Sequence, residues 1–387
     1  MQPFRHTWVE INLDAIYDNV SSFTRWMKPD KEVMVSVKAD GYGHGAIPVA
    51  KEAIKAGASW LGVALLEEAI ELRQAGIDVP ILMFGYLAPE YMPVAQEYRI
   101  STTVTNLAHF RQVCAQLEAN KHPLHFHLKL DTGMGRLGMT STEELSQFLH
   151  VYREQKKQLG QTLIWEGVYT HLATADEADE TYLEQQLSSM RRNLKLIHQH
   201  GIQIPYVHLS NSAGTIRQLN DPPNNLIRLG ISMYGLAPSG YMHSKLPFPL
   251  KPALSLHSRL SFVKKARPGQ GISYGKTYVT KGEEWIGTIP IGYADGWSRN
   301  LSNRAQVLIQ GQRMDLVGRI CMDQTMVKLH GRCDIGEKVT LIGKQGDEEI
   351  TADELAQLLG TIPYEIVCMI SSRVPRKYVR DDFESES

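Results

Sequence analysis

From Glu32 to Leu229 the chain alternates two kinds of apolar pattern. Short β-branched runs are separated by longer stretches whose apolar residues recur every three or four positions. The short runs predict strands at 33–38, 60–63, 80–84, 100–104, 125–130, 163–169, 206–209 and 225–229, and the spacing between them predicts helices such as 67–75, 106–117 and 181–200. Eight strand–helix alternations in sequence are the signature of a TIM-type (β/α)8 barrel, whose reactive residues gather at the C-terminal ends of the strands. An open doubly wound sheet is the competing architecture, but no G-x-G-x-x-G follows the first strand. Ahead of this region, residues 7–13 alternate apolar and polar as a strand does, and Asp14 is placed to cap a helix running to Phe23.

Between 238 and 252 the composition shifts to Pro, Gly and Ser, which predicts a domain boundary. The organisation expected is a barrel over 12–240 and a smaller, mainly-β domain over 241–387. Its short β-type segments are broken by Gly269, Gly271, Gly282, Gly311 and Gly331. A single helix is expected at 351–359, with Thr351 or Asp353 as its cap, and the acidic tail 381–387 is expected to be mobile.

Charge narrows the partners. The 41 basic and 42 acidic residues leave a formal net charge of −1, so neither nucleic acid nor an anionic membrane is expected as a partner. Residues 1–10 lack a basic-then-apolar signal pattern, and no apolar run approaches the roughly 20 residues of a spanning helix, so a cytoplasmic protein is expected. Cys114, Cys321, Cys333 and Cys368 are scattered without a C-x-x-C pair, which indicates reduced thiols and neither a disulfide framework nor a zinc site.

Candidate chemistry sits at the strand ends. Lys38 closes the first barrel strand and opens the glycine-rich turn Lys38-Ala39-Asp40-Gly41-Tyr42-Gly43-His44-Gly45, where backbone can approach a ligand closely. The order is not that of a P-loop, since the lysine precedes the glycines. An amine there fits a Schiff-base lysine carrying pyridoxal phosphate, and fits a surface lysine ahead of a loop as well. The period of two in His125-Phe126-His127-Leu128-Lys129-Leu130-Asp131 puts the polar residues on one face, predicted to point into the barrel. A lysine there must be paired, neutral or chemically modified, and the two histidines alone do not complete a metal ligand set. The next loop lifts Arg136 toward the barrel mouth, where a guanidinium suits a carboxylate. Later strands end on His171 and on His208 to Ser212, and Arg228 interrupts an otherwise apolar strand, which demands a fixed partner. Singly each is compatible with a satisfied core polar group; five such strands together favour a site. In the β domain Tyr274, Tyr293 and Met322 lie in turns beside glycines, and Cys321, with no histidine adjacent, reads as a buried thiol.

With these residues assembled, the sequence resembles the bacterial, PLP-dependent alanine racemases from about Trp8 to Arg376. The resemblance rests on Val37-Lys38-Ala39-Asp40-Gly41-Tyr42-Gly43-His44-Gly45, Lys129-Leu130-Asp131-Thr132-Gly133-Met134-Gly135-Arg136-Leu137-Gly138, Tyr169-Thr170-His171, Asn211-Ser212-Ala213, Ser273-Tyr274-Gly275 and Arg319-Ile320-Cys321-Met322-Asp323-Gln324. It implies a PLP barrel followed by a β domain that the N-terminal strand 1–11 joins, and a homodimer with shared active sites, making D-alanine for peptidoglycan. It also implies roles. Lys38 would be the Schiff-base lysine and one base; Tyr274, from the partner subunit, would be the other, with His171, His208 and Arg228 in support. A free phenol loses its proton only near pH ~10, so phenolate needs such support. Tyr42, Ser212, Gly230 and Ile231 would hold the phosphate. Ser372 stands where many members have tyrosine and would reach it through water. Arg136, the Met322 amide and Tyr293 would meet the substrate, and Lys129 matches a lysine that members carry carbamylated. A broader amino-acid (serine) racemase and a noncatalytic PLP carrier are the alternatives.

Overall fold

The computed structural model describes residues 4–381, and its chain divides into two compact units. One comprises 16–41 and 46–251; the other comprises the N-terminal residues through Ala15, the short insert Tyr42–Gly45 and the chain from Pro252. The acidic tail beyond Asp381 lies outside the described residues.

After β1 (Thr7–Asn12), the barrel strands are β2 (Glu32–Ser36), β3 (Trp60–Val63), β4 (Ile81–Met83), β5 (Thr102–Val104), β6 (Leu124–Lys129), β7 (Leu163–Tyr169), β8 (Tyr206–His208) and β9 (Leu226–Leu229). They pair in parallel in the orders β4-β3-β2-β9 and β5-β6-β7-β8. A parallel bridge from Leu82 to Ser101 joins the arcs on one side. On the other, Asn225 N–H donates to Val207 O at 3.0 Å and Arg228 N–H to Ser210 O at 2.9 Å, which closes the ring. The period of two decides what faces where. Phe126 and Leu128 of β6 and Trp165 of β7 pack outward on Phe110, Phe148 and Met190 of the surrounding helices. Met34, Trp60, Leu82 and Leu226, one from each of four strands, fill the interior.

Strand β7 carries one irregularity. Against β6, Phe126 pairs with Trp165 but His127 pairs with Gly167, so Glu166 is an extra residue in β7. Trp165 and Val168 both pack outward, so the bulge leaves Glu166 and Gly167 adjacent on the inner face.

In the second unit β1 pairs antiparallel with β10 (Leu254–Arg259) and in parallel with Arg376–Val379, within a seven-stranded sheet. A three-stranded sheet joins Phe262–Ala266, Glu284–Ile289 and Thr325–Leu329. Three sequence expectations need correction. The first helix, Leu13–Trp26, is capped by Asn12, whose Oδ1 accepts from Ala15 N–H, and not by Asp14. Where one helix was expected near 351–359 there are two, Ala352–Leu359 and Pro363–Met369, because Pro363 opens a second helix at a position where its missing N–H costs nothing. Cys321 is only partly buried. The cap left open between Thr351 and Asp353 is Thr351, which accepts from Glu354 N–H.

Candidate active site

The turn that Lys38 opens is a left-handed one: Ala39, Asp40 and Gly41 have φ of 52°, 51° and 59°, followed by Tyr42 at 53°. Each non-glycine residue so placed costs about 1–2 kcal/mol, so the turn persists only because its surroundings hold it. Glu68 does much of the holding. Its Oε1 accepts from Ala39 N–H at 2.6 Å while Oε2 accepts from Ala64 and Leu65 N–H at 2.8 and 3.1 Å. Asp40 Oδ1 accepts from Ala46 N–H at 2.8 Å, and Gly41 N–H reaches Val37 O at 2.8 Å.

Arg228 lies inside the same unit, 5% exposed. Nη1 donates to His208 Nδ1 at 2.9 Å; Nη2 donates to Thr170 O at 2.8 Å, Leu209 O at 3.1 Å and His171 Nδ1 at 3.3 Å. Burial lowers the guanidinium to about 10, so it stays cationic at neutral pH. Burial, then the Arg228 charge, push His171 and His208 well below the ordinary histidine value, so both imidazoles are neutral. Tyr169 stacks on His208 at 4.7 Å between ring centroids and hydrogen-bonds Thr103 at 2.9 Å.

Lys129 is 5% exposed, and its Nζ has no hydrogen-bond partner, lying 4.5 Å from the Tyr169 ring centroid. Burial first, then Arg228 and Arg136, push its pKa well below the ordinary lysine value, disfavouring the charged form. Beyond it, Asp131 builds the loop that carries Arg136. Its Oδ1 accepts from the amides of Gly133, Met134 and Gly135 at 3.0, 2.8 and 3.1 Å, and its Oδ2 from Arg136 N–H at 2.9 Å. Arg136 itself is exposed. At the ends of β8 and β9, Ser212 Oγ accepts from the amides of Gly230 and Ser232 at 2.9 and 3.4 Å. Lys38, Lys129, Arg136, His171, His208, Ser212, Arg228, Gly230 and Ile231 thus all belong to the barrel unit.

The remaining sequence candidates belong to the other unit. Tyr274 stands at the tip between two short paired strands, 68% exposed, on a turn whose Ser273, Gly275 and Lys276 have φ of 61°, 71° and 47°. Ser273 Oγ donates to Arg319 O at 2.6 Å and contacts Cys321 Sγ at 3.4 Å. Tyr293 N–H donates to Cys321 O and Ala294 N–H to Met322 O, at 3.0 and 3.1 Å. Tyr274, Met322 and Tyr293 are therefore parts of one tied group of loops. Ser371, next to Ser372, donates from its hydroxyl to Ala294 O at 3.1 Å. Tyr42 falls in this unit as well, its ring 6.2 Å from that of Tyr364.

Three carboxylates have roles that the strand pattern did not assign. Glu68 sits on an exposed-looking helix start, and Asp131 looked like one more polar-face residue. Glu166 carried a usable signal: it is the one charged residue in an apolar strand, as Arg228 is in its own. It accepts from His125, His127 and Ser101, which also disposes of the histidine pair considered for a metal.

The donor set suits a phosphorylated pyridine aldehyde: a primary amine on a fixed turn, a buried cation among neutral imidazoles, and a serine with backbone amides at two strand ends. Ser232 Oγ, beside those amides, is buried without a hydrogen-bond partner, so the cradle holds polarity that the chain alone does not satisfy.

Residues 11–238 match the family model "Alanine racemase, N-terminal domain", and residues 253–378 match "Alanine racemase, C-terminal domain". An alanine racemase of Halalkalibacterium halodurans is 50% identical over 98% of this chain and 96% of its own length. That of Geobacillus stearothermophilus is 48% identical over 97% and 94%. Among solved structures, an alanine racemase from Bacillus anthracis with bound L-Ala-P superposes with a TM-score of 0.93 at 43% identity, covering 98% of this chain and 97% of that one.

Proposed function

The chain belongs to the alanine racemase family, and from that premise we propose that it interconverts L-alanine and D-alanine using pyridoxal 5'-phosphate. The observation that carries the reading is Arg228, a buried cation whose Nη1 and Nη2 donate to neutral imidazoles and backbone carbonyls. When bound, the cofactor draws electron density from the substrate's α-carbon. Arg228 would meet the cofactor's ring nitrogen as a permanent cation, which would resist protonation there and moderate that withdrawal.

Racemisation needs a proton to leave one face of the α-carbon and another to arrive on the opposite face. Lys38 holds the cofactor and serves one face; Tyr274 of a second copy serves the other. His171 accepts from Arg228 through Nδ1, so it carries its proton on Nε2 and offers it to the phenolate. Tyr274, Met322 and Tyr293 are 68%, 54% and 43% exposed, as residues lent to another subunit must be in a single chain, and this supports a homodimer. Arg136 and the Met322 amide take the substrate carboxylate. Ser212, Tyr42 and the amides of Gly230 and Ile231 take the phosphate, with Ser372 joining through water. The division into a barrel (12–240) and a β domain (241–387 with strand 1–11) is part of this reading, supported by the pairing of β1 with β10. So is a cytoplasmic enzyme making D-alanine for the cell wall.

Lys129, whose buried Nζ lacks a hydrogen-bond partner, adds CO2 through its unprotonated form: Nζ bonds the carbon, a proton departs to solvent, and the resulting carbamate anion is held by Arg136. Intact mass in bicarbonate should show one added CO2, absent in Lys129→Ala; a wild-type mass without it refutes the modification.

The experiment for the whole reading is chiral chromatography of L-alanine incubated with the protein and PLP, beside Lys38→Ala. D-alanine should form with the wild type and not with the variant. L-serine and L-lysine run in parallel measure breadth. A barrel-only carrier would have no use for the C-terminal domain, and full activity of Lys38→Ala would sink the assignment.

A further inference from the structure

The hydrogen bonds of Arg228 do not stop at His208. His208 Nε2 lies 2.7 Å from His127 Nδ1, and His127 Nε2 lies 3.3 Å from Glu166 Oε2. Glu166 also accepts from Ser101 Oγ at 2.7 Å and meets His125 Nδ1 at 3.0 Å. A file of four side chains therefore runs through the barrel interior, from Glu166 on β7 to Arg228 on β9.

The two ends of this file differ in kind. A guanidinium can only donate, and an ionised carboxylate can only accept. That leaves one arrangement of protons that satisfies every joint. Arg228 donates to His208 Nδ1; His208 donates from Nε2 to His127 Nδ1; His127 donates from Nε2 to Glu166. Protonating either imidazole fully, or reversing either tautomer, sets N–H against N–H at one of the joints.

The surroundings keep the rings where this pattern needs them. His127 and His208 are wholly buried. Trp60 meets the His127 ring edge-on at 5.4 Å, and Tyr206 stacks on it at 6.4 Å. Gly167 leaves the room: a Cβ there would lie 2.3 Å from His127 Nδ1. The bulge puts Glu166 and Gly167 side by side on the inner face, between the outward-packed Trp165 and Val168, so the carboxylate and the space for the His127 ring adjoin. Burial lowers the pKa of His127 and His208, which agrees with neutral rings. Glu166 lies well below the ordinary carboxylate value, because bonds from His125 and His127 outweigh the opposing effect of burial. Among the described residues no carboxylate is within ion-pair distance of Arg228, so Glu166 is its relayed counter-charge.

We infer that Glu166 is a positioning residue for the proposed racemisation. Its carboxylate fixes the tautomers of His127 and His208, and thereby presents a lone pair that holds the Arg228 guanidinium in orientation and in its cationic state. The inference rests on the racemase reading for its catalytic consequence, but the proton pattern itself does not.

Two measurements test it. Neutron diffraction from deuterated crystals of the full-length wild type should show deuterium on Nε2 of His127 and His208 and none on Nδ1. Deuterium on Nδ1 of either ring overturns the inference. In Glu166→Gln the amide still occupies the space and can still accept, but one of its atoms now donates and the bias on the tautomers is lost. Its kcat for alanine should fall by roughly 10-fold or more, the scale on which outer partners of a site act. KM should hold, because Arg136 is outside the file, and Glu166→Asp should recover part of the loss. A Glu166→Gln enzyme with wild-type kcat overturns the inference. If the wild type failed to racemise alanine, the functional reading would fall and the neutron map would still decide the proton pattern.

Discussion

Asp131 offers the sharpest quantitative test of how the substrate-side loop is built. Three amides converge on Oδ1 and one, that of Arg136, on Oδ2. In Asp131→Asn an oxygen left at the Oδ1 position keeps three bonds, and the new NH2 faces Arg136 N–H, donor against donor. The opposite rotamer loses three bonds, so the first is adopted. One charge-assisted bond is worth about 1.5–3 kcal/mol, and the lower end applies at a partly exposed site. About 1.4 kcal/mol is a factor of ten, so KM for alanine should rise roughly 10-fold while kcat changes little. Asp131→Ala loses all four bonds and should raise KM further, by at least roughly 100-fold. Both should unfold in denaturant much as the wild type does, since the loop lies outside the core. The pH dependence has a definite sign. Burial raises the Asp131 pKa but the four amide bonds lower it further, leaving it below its ordinary 3.8. A depressed carboxylate contributes fully above its unfolded value and loses that contribution as pH falls through the folded one. Loop order should therefore persist down to the ordinary value and fail below it. Initial-rate kinetics by chiral chromatography supply the numbers; an Asp131→Asn enzyme with unchanged KM would refute the claim that Asp131 positions Arg136.

Other perturbations separate stability from chemistry. Phe148→Ala removes a fully buried ring lying 4.7 Å from Phe110 and 5.2 Å from Trp165, and should cost about 3–5 kcal/mol in urea unfolding; a loss below about 1 kcal/mol would mean that this core is not packed as described. Glu68→Ala frees a turn with three strained non-glycine residues after Lys38, so cofactor should dissociate at least roughly 10-fold more readily in equilibrium dialysis, and unchanged retention would remove Glu68 from the account. Tyr274→Phe should keep cofactor absorbance while slowing turnover that starts from L-alanine by roughly 100-fold or more; equal turnover would exclude the phenol as a base.

Periodicity in the sequence determined which segments are strands and which residues face inward, because a pleated strand alternates its side chains whatever it packs against. All eight barrel strands could be placed this way, and so could His127 and Lys129 on inward positions, while Arg228 was marked only as a charge in an apolar strand. Local rules failed where two nearby residues could each cap the same helix, since Asn12 and not Asp14 caps the first one, and where Pro363 starts a helix that apolar spacing did not mark. What only the tertiary structure decided is the network of polar contacts. The left-handed turn after Lys38 is held by Glu68, 29 positions from the Ala39 amide it accepts from, and the adjacent inward placement of Glu166 and Gly167 comes from a bulge that strict alternation cannot express. Hydrogen bonds between side chains depend on distances of a few tenths of an ångström across strands far apart in the chain. Which acid serves which arginine is therefore settled by how the barrel closes, and no local pattern records it.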